Sequence, residues 1–568
     1  MKYTAPVEST TFLLRDVLKF DNELTEPILS EAAKLCEEVI APTNQEGDRL
    51  GCHKIFQSAS GQETVDTVEV PRCFHEPWKK FKEGGWLGLS VPEQYGGQGL
   101  PYTLASAVNE FVSSSNMAFS LFPGLTRGNI QALLEVATEE QKQFYIPKMA
   151  SGEWTGTMNL TEPHCGTDLG LIKTKAVPYD DDDNECFYIT GQKIFISCGE
   201  HDLADNIVHL VLARIEGDPE GVKGISMFIV PKRLAVNQNK VSCGSIEEKM
   251  GIHGSPTCVM NYDDAVGFLV GERCKGLNAM FIMMNEARLG VAVQGLSQSE
   301  LAYQNAVAYA KDRIQSAKIT DPKGKSVAII EHPDVRRMLM DIKCINEAGR
   351  LLVLEAAMLC DDKSQEAQDR LGLMTPVLKG VLTDYGFENA VKAQQVFGGH
   401  GYIKEWGMEQ IVRDARICQI YEGANGIQAL DLVGRKLPKN MGRAITKFFN
   451  DSESFLTNAY DKDINPIVQP MTRALNELKQ ATEWLMHNAM SNPNNAGSAS
   501  YDYMKMMGLV MLGMAHIKIC LATRVFRCKE DEERHKNATY FMERILPETS
   551  FLLQRIREGS DTMMGAEF

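Results

Sequence analysis

The feature that most constrains the fold is a single β-rich stretch, residues 155–275, set between two long stretches of helical character. Runs in it such as CFYITGQKIFIS and NIVHLVLARI are rich in β-branched and aromatic residues and are separated by turns. Before it, residues 23–50 and 101–150 carry apolar residues at helical spacing, and TEEQK at 138–142 has the composition of a helix start. After it, helical character returns at residue 276 and continues to the C-terminus. These patterns predict a multidomain α+β protein.

The length of the chain, 568 residues, exceeds the size at which one hydrophobic core usually stops growing, so several domains are expected. The changes of pattern place four regions at 1–154 (helical), 155–275 (β-rich), 276–437 (helical) and 438–568 (additional helices). Within the last region, the polar sequence MSNPNNAGSASYD at 490–502 is predicted to be a linker. The order of elements is therefore α, β, α and then further α.

Charge and cysteine usage exclude several classes of protein. A net charge of −16 and a pI of about 5.3 argue against a nucleic-acid groove, which needs a basic surface. Fourteen cysteines occur without a CxxC pair or zinc-ligand spacing, which predicts reduced thiols, no metal and a cytoplasmic location. The most apolar run, residues 508–522, is short for a membrane span and contains His516 and Lys518, so a buried helix is expected.

The segment RDARICQIYEGANGIQALDLVGRKL, residues 413–437, places one carboxylate, Glu422, in apolar helical sequence and follows it at once with Gly423. An exposed helix end is one explanation for such a residue, but its apolar neighbours favour burial. Other segments have equally ordinary explanations when taken alone. FGGHGY at 397–402 reads as a helix C-cap and turn, and Arg313 reads as a surface helix residue.

Taken together, these segments indicate a family. The order GLSVPEQYGGQG, TEPHCGTD, GQKIFIS, NEARLG, KDR, QVFGGHGY and RDARICQIYEGANGIQ resembles the acyl-CoA dehydrogenase family over roughly residues 30–437. The resemblance is greatest to the branch with a C-terminal extension, which contains 3-methylmercaptopropionyl-CoA and bacterial fatty acyl-CoA dehydrogenases. It implies an N-terminal helical domain, a central β-barrel and a C-terminal four-helix bundle, to which residues 438–568 add a helical domain.

The resemblance also implies an activity. The expected reaction is FAD-dependent dehydrogenation of an acyl-CoA thioester to the trans-2-enoyl-CoA, in fatty-acid β-oxidation or in breakdown of 3-methylthiopropanoyl-CoA. Electron-transfer flavoprotein is the expected electron acceptor, and the expected assembly is a homodimer or a dimer of dimers. The extension is expected to pack on the bundle, with peripheral membrane contact as an alternative. An acyl-CoA oxidase and a non-catalytic DNA-binding relative remain alternative functions.

Site residues follow from the same resemblance. Residues expected along the flavin are Leu160, Thr161, Gly166, Thr167, Phe195 and Ser197. Residues expected to reach the FAD diphosphate and adenosine across the dimer are Arg313, Gln395, Gly398 and Gly399. Residues expected to contact the substrate are Thr167, Arg288, Tyr421 and Gly423.

Glu422 is the expected catalytic base, because burial raises the pKa of a carboxyl group toward working pH. Some branches carry the base immediately before the arginine that Arg288 resembles, but here that position is Ala287. Glu286, one residue earlier, should point about 100° away. The hydroxyl usual two positions after the base is replaced by Ala424, so one cofactor contact is expected to be lost or supplied by Asn425.

Overall fold

A computed structural model describes residues 1–58, 64–180, 186–235, 237–460, 464–525 and 528–568. The helices are α1 (Val7–Phe12), α2 (Thr25–Lys34), α3 (Asn44–Leu50), α4 (His75–Glu83), α5 (Tyr102–Ser115), α6 (Met117–Val136), α7 (Glu139–Ala150), α8 (Gly276–Asp312), α9 (Pro333–Asp361), α10 (Gln365–Val396), α11 (Met408–Arg416), α12 (Asn425–Asp431), α13 (Arg443–Ala459), α14 (Asn465–Asn488), α15 (Pro493–Ala522), α16 (Lys529–Arg544), α17 (Glu548–Arg557) and α18 (Asp561–Met564). The strands are β1 (His53–Ser58), β2 (Thr64–Glu69), β3 (Trp154–Asn159), β4 (Lys175–Pro178), β5 (Cys186–Ser197), β6 (Asn206–Ile215), β7 (Ile225–Pro231), β8 (Val241–Ile246) and β9 (Thr257–Val270).

The chain forms two compact units, each built from separate segments. The sheet unit contains Lys34–Ala105 and Ser115–Gly290. The helical unit contains Met1–Ala33, Ser106–Ser114 and Val291–Phe568.

The sheet unit is organised around a seven-stranded sheet that closes on itself. The strands follow the order β3-β6-β4-β5-β9-β7, β8 pairs with β9, and β7 pairs back to β6. Strand β6 therefore has three neighbours: β3 in parallel at its first half, β4 in parallel at its end, and β7 antiparallel on the other side. This closure makes the sheet a barrel and confirms the predicted β-barrel.

The near-continuous apolar sequence of β6 has a physical reason, because both of its faces are buried. Val208, Leu210 and Leu212 pack in the core formed with α6, α7 and the start of α8. Val211 and Ala213 point to the opposite face and pack in the barrel interior. A strand buried on both faces loses the alternation of apolar and polar residues that a half-exposed strand shows.

In the helical unit, the long helices pack closely enough for backbones to touch. Gly295 on α8 and Gly386 on α10 face each other: a Cβ added to Gly295 would lie 2.5 Å from the Leu382 carbonyl oxygen, and one added to Gly386 would lie 2.5 Å from the Gly295 oxygen. The two glycines therefore let the helices cross at backbone contact, which any larger side chain would prevent.

The C-terminal extension is helical from Arg443 and is centred on α15. The predicted linker at 490–502 differs from the structure, because α15 begins inside it at Pro493. The Asn492 side chain caps this helix by accepting a hydrogen bond from the Asn494 N–H, and proline suits the first helical position. Among the described residues, α15 is the one helix that is both long enough and apolar enough to cross a membrane. However, 83% of its most apolar stretch is buried inside the protein.

Candidate active site

The loop after β3, residues 160–168, carries four of the residues expected along a flavin. Leu160 is buried and Thr161 is half-buried, whereas Gly166 and Thr167 are exposed. The loop thus anchors its first residues in the sheet unit and presents its second half at the surface.

A buried ion pair holds this loop from behind. The Lys193 ammonium donates to Glu162 Oε1 at 2.8 Å and to the Leu160 carbonyl oxygen at 3.0 Å, and both charged side chains are almost fully buried. Glu162 also accepts hydrogen bonds from the Thr174 hydroxyl at 2.6 Å and from the Lys173 N–H at 2.8 Å. Burial would raise the pKa of Glu162, but the Lys193 ammonium and these donors outweigh it and lower that pKa.

Within the described residues, one group of three potential metal ligands lies close together: Glu162, His164 and Cys165. Glu162 also belongs to the ion pair with Lys193. Both Glu162 oxygens already accept hydrogen bonds, one of them from the Lys193 ammonium. The His164 ring lies 2.8 Å from the Leu171 carbonyl oxygen. An ammonium bonded to the carboxylate of the group disfavours a cation there, so the group is better explained as loop support.

A β-bulge in β5 places Phe195 at the surface. The register with β9 shifts beside Phe195, whose φ is +58° and whose side chain is 60% exposed. The Ile194 N–H donates to the Thr161 carbonyl oxygen at 2.9 Å, which ties the bulge to the loop 160–168. Half-buried Ser197 follows, paired in the sheet with Thr257. An aromatic residue held at positive φ is strained, and such strain concentrates at functional sites.

In the helical unit, Glu422 sits in a tight turn between two helical segments. The φ of Glu422 is +56° and that of Gly423 is +85°, and α12 begins two residues later. The Gln428 side chain donates to the carbonyl oxygens of Glu422 at 3.1 Å and Gly423 at 3.2 Å. A Cβ at Gly423 would come within 2.7 Å of the Gln428 amide nitrogen, so a side chain here would be strained at this φ and would displace the Gln428 amide.

A buried lysine, which the sequence analysis did not single out, supports the same turn. The Lys379 ammonium on α10 donates to the Gly423 carbonyl oxygen and to Asn425 Oδ1, both at 2.8 Å. The Asn425 amide donates in turn to the Gly380 carbonyl oxygen at 3.1 Å and to the Thr383 hydroxyl at 2.9 Å. Asn425 was expected to supply a cofactor contact unless that contact is lost; its side chain is hydrogen-bonded to α10.

The surroundings of Glu422 differ from the expected apolar pocket. Glu422 is half-buried, and its neighbours Ile420 and Leu430 are 49% and 47% exposed. The turn interrupts the helix, so residues on its two sides no longer share one helical face. Ile420 and Leu430 are therefore not buried together around Glu422 as the sequence pattern predicted. Tyr421 donates a hydrogen bond to Gln294, and burial raises the pKa of its hydroxyl, with the Cys418 and Glu422 charges adding to the rise.

Glu286 lies on α8 in the sheet unit, whereas Glu422 lies in the helical unit. Its Oε1 accepts a hydrogen bond from the Tyr102 hydroxyl at 3.3 Å, and its other oxygen faces Gly128, where an added Cβ would lie 2.9 Å away. Burial raises the pKa of Glu286, while Arg127 and Tyr102 lower it in part. Arg288, two residues later on the same helix, is buried.

Family models match almost the whole chain. Acyl-CoA dehydrogenase models match for the N-terminal domain at 23–153, the middle domain at 157–265 and the C-terminal domain at 275–437. A fourth, described as acetyl-CoA dehydrogenase C-terminal like, matches 443–567. The chain belongs to the acyl-CoA dehydrogenase family. It is an FAD-dependent oxidoreductase that acts on an acyl-CoA thioester.

Individual relatives agree with this assignment. The chain is 37% identical to 3-methylmercaptopropionyl-CoA dehydrogenase of Ruegeria pomeroyi, over the full length of both chains. It resembles a structure described as the electron transferring flavoprotein of Acidaminococcus fermentans, with 29% identity, a TM-score of 0.62, and coverage of 74% of this chain and 100% of that one. The fold is also that of Caenorhabditis elegans ACDH-11, with 20% identity, a TM-score of 0.81, and coverage of 96% of this chain and 92% of that one.

The residues of the sheet unit fit FAD. Exposed Phe195 offers an aromatic face, half-buried Thr161 and Ser197 carry hydroxyls nearby in sequence, and the Lys193–Glu162 ion pair fixes the backbone of loop 160–168. A flat, fixed surface with hydroxyl and N–H donors suits a planar ring that gains negative charge on reduction.

The residues expected to reach the rest of FAD lie at the surface of the helical unit. Arg313 directly follows α8, and Gln395, Gly398 and Gly399 stand at the end of α10; all four are exposed. A Cβ added at Gly398 or Gly399 would meet no atom of the chain within 4 Å. Their backbone is therefore open to close approach by a ligand or a second subunit.

Proposed function

We propose that Glu422 is the base that removes the proton from the α carbon of the acyl-CoA substrate. The observation that carries this proposal is the turn that holds Glu422 at positive φ. Gln428 and Lys379 bind the carbonyl oxygens of this turn, so its unusual backbone is supported from two sides. A braced turn fixes the direction of the carboxylate, as proton abstraction in a defined geometry requires.

The reaction breaks one C–H bond on the α carbon and one on the β carbon. Glu422 takes the α hydrogen as a proton, and negative charge develops on the thioester oxygen. Bound FAD supplies the acceptor for the hydride that leaves the β carbon. The products are the trans-2-enoyl-CoA and a protonated Glu422, which must release its proton before the next turnover.

The experiment is anaerobic mixing of the enzyme with acyl-CoA while flavin absorbance is followed. Glu422→Gln keeps the shape of the side chain and removes the proton acceptor, so flavin reduction should slow by at least ~10²-fold while FAD content stays the same. The matched control is Glu286→Gln, which should keep the wild-type rate. Loss of flavin reduction in Glu286→Gln, with retention in Glu422→Gln, would assign the base to Glu286.

For the acyl group, we propose a short unbranched chain, with 3-methylthiopropanoyl-CoA as the first candidate. The 37% identity to the Ruegeria pomeroyi enzyme over the whole chain, extension included, supports this choice. Sulfur replaces one methylene in this acyl group, so pentanoyl-CoA of nearly equal volume should be accepted too. The test is kcat/KM with a dye acceptor from butanoyl-CoA to palmitoyl-CoA and with 3-methylthiopropanoyl-CoA. A maximum at palmitoyl-CoA would place the enzyme in long-chain β-oxidation instead.

We propose electron-transfer flavoprotein as the electron acceptor. Support comes from the likeness at 29% identity to the Acidaminococcus fermentans structure. The test is reoxidation of the substrate-reduced enzyme by purified electron-transfer flavoprotein and by air-saturated buffer. Reoxidation that is as fast in air would make the protein an acyl-CoA oxidase.

We propose a homodimer, alone or as a dimer of dimers. The support is the exposure of Arg313 and Gly398 on the helical unit and of Tyr402, which is 84% exposed in the same loop as Gly398. Light scattering coupled to size-exclusion chromatography tests the assembly, and Tyr402→Asp should weaken it. A monomeric wild type that retains FAD would contradict the proposal.

We propose a cytoplasmic location. All fourteen cysteines are free thiols, as in a reducing compartment. Cell fractionation tests the location. Recovery with membranes that salt washing reverses would instead support peripheral membrane contact.

A further inference from the structure

The C-terminal extension contains a side chain directed at the helix that supports the base turn. The Tyr501 hydroxyl on α15 donates to Asp384 Oδ2 on α10 at 2.5 Å. The other oxygen of Asp384 accepts from the Gln419 amide at 2.6 Å and from the Asn425 amide at 2.8 Å. One carboxylate therefore receives donors from three separate segments of the helical unit.

Two of these donors lie on either side of the proposed base in the sequence. Gln419 lies three residues before Glu422, and Asn425 lies three residues after it. Asp384 thus holds both ends of the turn through the same oxygen atom, while Tyr501 holds the carboxylate through the other. Hydrogen bonds to an ionised carboxylate are shorter and stronger than neutral ones, so this clamp fixes the ends of the turn.

A second contact brings α15 against the same stretch of α10. A Cβ at Gly380 would lie 2.4 Å from the Met504 methyl, and a Cβ at Gly508 would lie 2.6 Å from Val381. Tyr501, Met504 and Gly508 are spaced three and four residues apart, so they share one face of α15. That face meets α10 beside Lys379 and one turn before Asp384.

We propose that Tyr501 is a positioning residue, through which the C-terminal extension orients the catalytic base by way of Asp384, Gln419 and Asn425. The proposal rests on Glu422 being the base. It gives the extension a role in the chemical step in addition to packing. A family member without this helix must hold the turn by other contacts.

The experiment compares two tyrosines of α15 that differ in what their hydroxyls bind. Tyr501→Phe keeps the ring and removes the hydroxyl bonded to Asp384. Tyr503→Phe is the matched control, since the Tyr503 hydroxyl is buried against Thr482 of α14, at 2.8 Å, instead of bonding to Asp384. Both variants are measured for FAD content, thermal unfolding, kcat, KM and the rate of flavin reduction with substrate deuterated at the α carbon.

Tyr501→Phe should keep FAD, unfolding temperature and KM near wild type, lower kcat by roughly three- to tenfold, and raise the α-deuterium isotope effect on kcat, because a less well-oriented base slows proton abstraction. Tyr503→Phe should lower the unfolding temperature and leave kcat and the isotope effect unchanged. In the double variant Tyr501→Phe with Asp384→Asn, the losses in kcat should be less than additive.

Tyr501→Phe with wild-type kcat and isotope effect would overturn the positioning role, even where Glu422→Gln is inactive. Equal effects of Tyr501→Phe and Tyr503→Phe would overturn it too, since both would then act through stability. Retained flavin reduction in Glu422→Gln would instead overturn the assignment of the base.

Discussion

The loop expected to lie along the cofactor and the turn that holds the proposed base are supported in different ways. In the sheet unit, loop 160–168 rests on a buried ion pair, Glu162 with Lys193, and on a barrel strand. In the helical unit, the turn at Glu422 rests on single side chains, Gln428 and Lys379, that donate to its carbonyl oxygens.

The difference follows from what each region has to hold. A planar ring needs a surface that does not move, and a fully buried charge pair within a barrel is rigid because neither partner tolerates loss of the other. A base needs one carboxylate at a defined angle while its proton comes and goes. Gln428 and Lys379 donate to backbone carbonyl oxygens of the turn, and this fixes the angle through the backbone. Stability should therefore depend more on the loop, and turnover more on the turn.

The largest effect is expected from Lys193→Met. This change leaves the Glu162 carboxylate buried without its ammonium, which typically costs about 3–5 kcal/mol in the free energy of unfolding. Urea unfolding of the apoprotein should show the loss, and the FAD content of purified protein should fall with it. Lys175→Met, an exposed lysine on neighbouring β4, is the control and should change neither. If Lys193→Met and Lys175→Met were equally stable, the loop would not contribute more to stability than the turn does.

The next effect is expected from Lys379→Met, and it should fall on catalysis. Loss of the ammonium leaves the Gly423 carbonyl oxygen and Asn425 Oδ1 short of a donor, at about 1–3 kcal/mol. FAD content should stay near wild type while kcat falls by up to ~10²-fold, since 1.4 kcal/mol corresponds to about tenfold. Lys392→Met on the same helix is the control. A Lys379→Met variant with reduced FAD content and unchanged kcat would contradict the prediction that the turn affects turnover and not cofactor binding.

A smaller effect, on affinity alone, is expected from Arg313→Ala. Arg313 is exposed, so its loss should leave unfolding unchanged. If its guanidinium contacts the FAD diphosphate, the dissociation constant for FAD should rise about tenfold, as for loss of a charge-assisted hydrogen bond. Fluorescence titration of the apoprotein with FAD measures it, and Lys311→Ala is a nearby exposed control. Unchanged affinity would remove Arg313 from the cofactor site.

The smallest effect is a pH dependence specific to the loop. The pKa of Glu162 is lowered by folding, so its ion pair contributes stability above the unfolded pKa of about 4.3, and this contribution is lost as pH falls through the folded value. The difference in unfolding free energy between wild type and Glu162→Gln should therefore shrink below about pH 4.3. The difference for Gln428→Met, whose amide does not titrate, should stay roughly constant. Parallel behaviour of the two variants would count against an ionised Glu162.

Much of the fold could be predicted because the sequence patterns are local. The capping residues show it: Thr138 and Gln141 form a capping box at the start of α7, where TEEQK predicted a helix start. The prediction of a linker at 490–502 was wrong because the contacts that decide this structure are not local. Its polar residues satisfy the first turns of a helix whose core contacts come later in the sequence, and composition alone does not reveal those contacts.

The candidate site could be predicted only where residues stand in known motifs. Glu422, Phe195 and Arg313 come from such motifs, and their roles stay predictions. Lys379 and Lys193 were missed, although each is a lone lysine in an apolar run, VLKGVL and GQKIFIS, and such a lysine needs a buried partner. Their partners lie 44 and 31 residues away along the chain, so only the folded backbone identifies them.

The position of strand β6 has a consequence for how the sheet unit unfolds and folds. It pairs with β3, β4 and β7 and is buried on both faces, so its amides should exchange with deuterium only through global unfolding of the sheet unit. Its parallel partner β3 lies about fifty residues earlier in sequence, with Trp154 opposite Asn206. Closing such a loop is slow, so barrel closure around β6 should limit the rate at which the sheet unit folds.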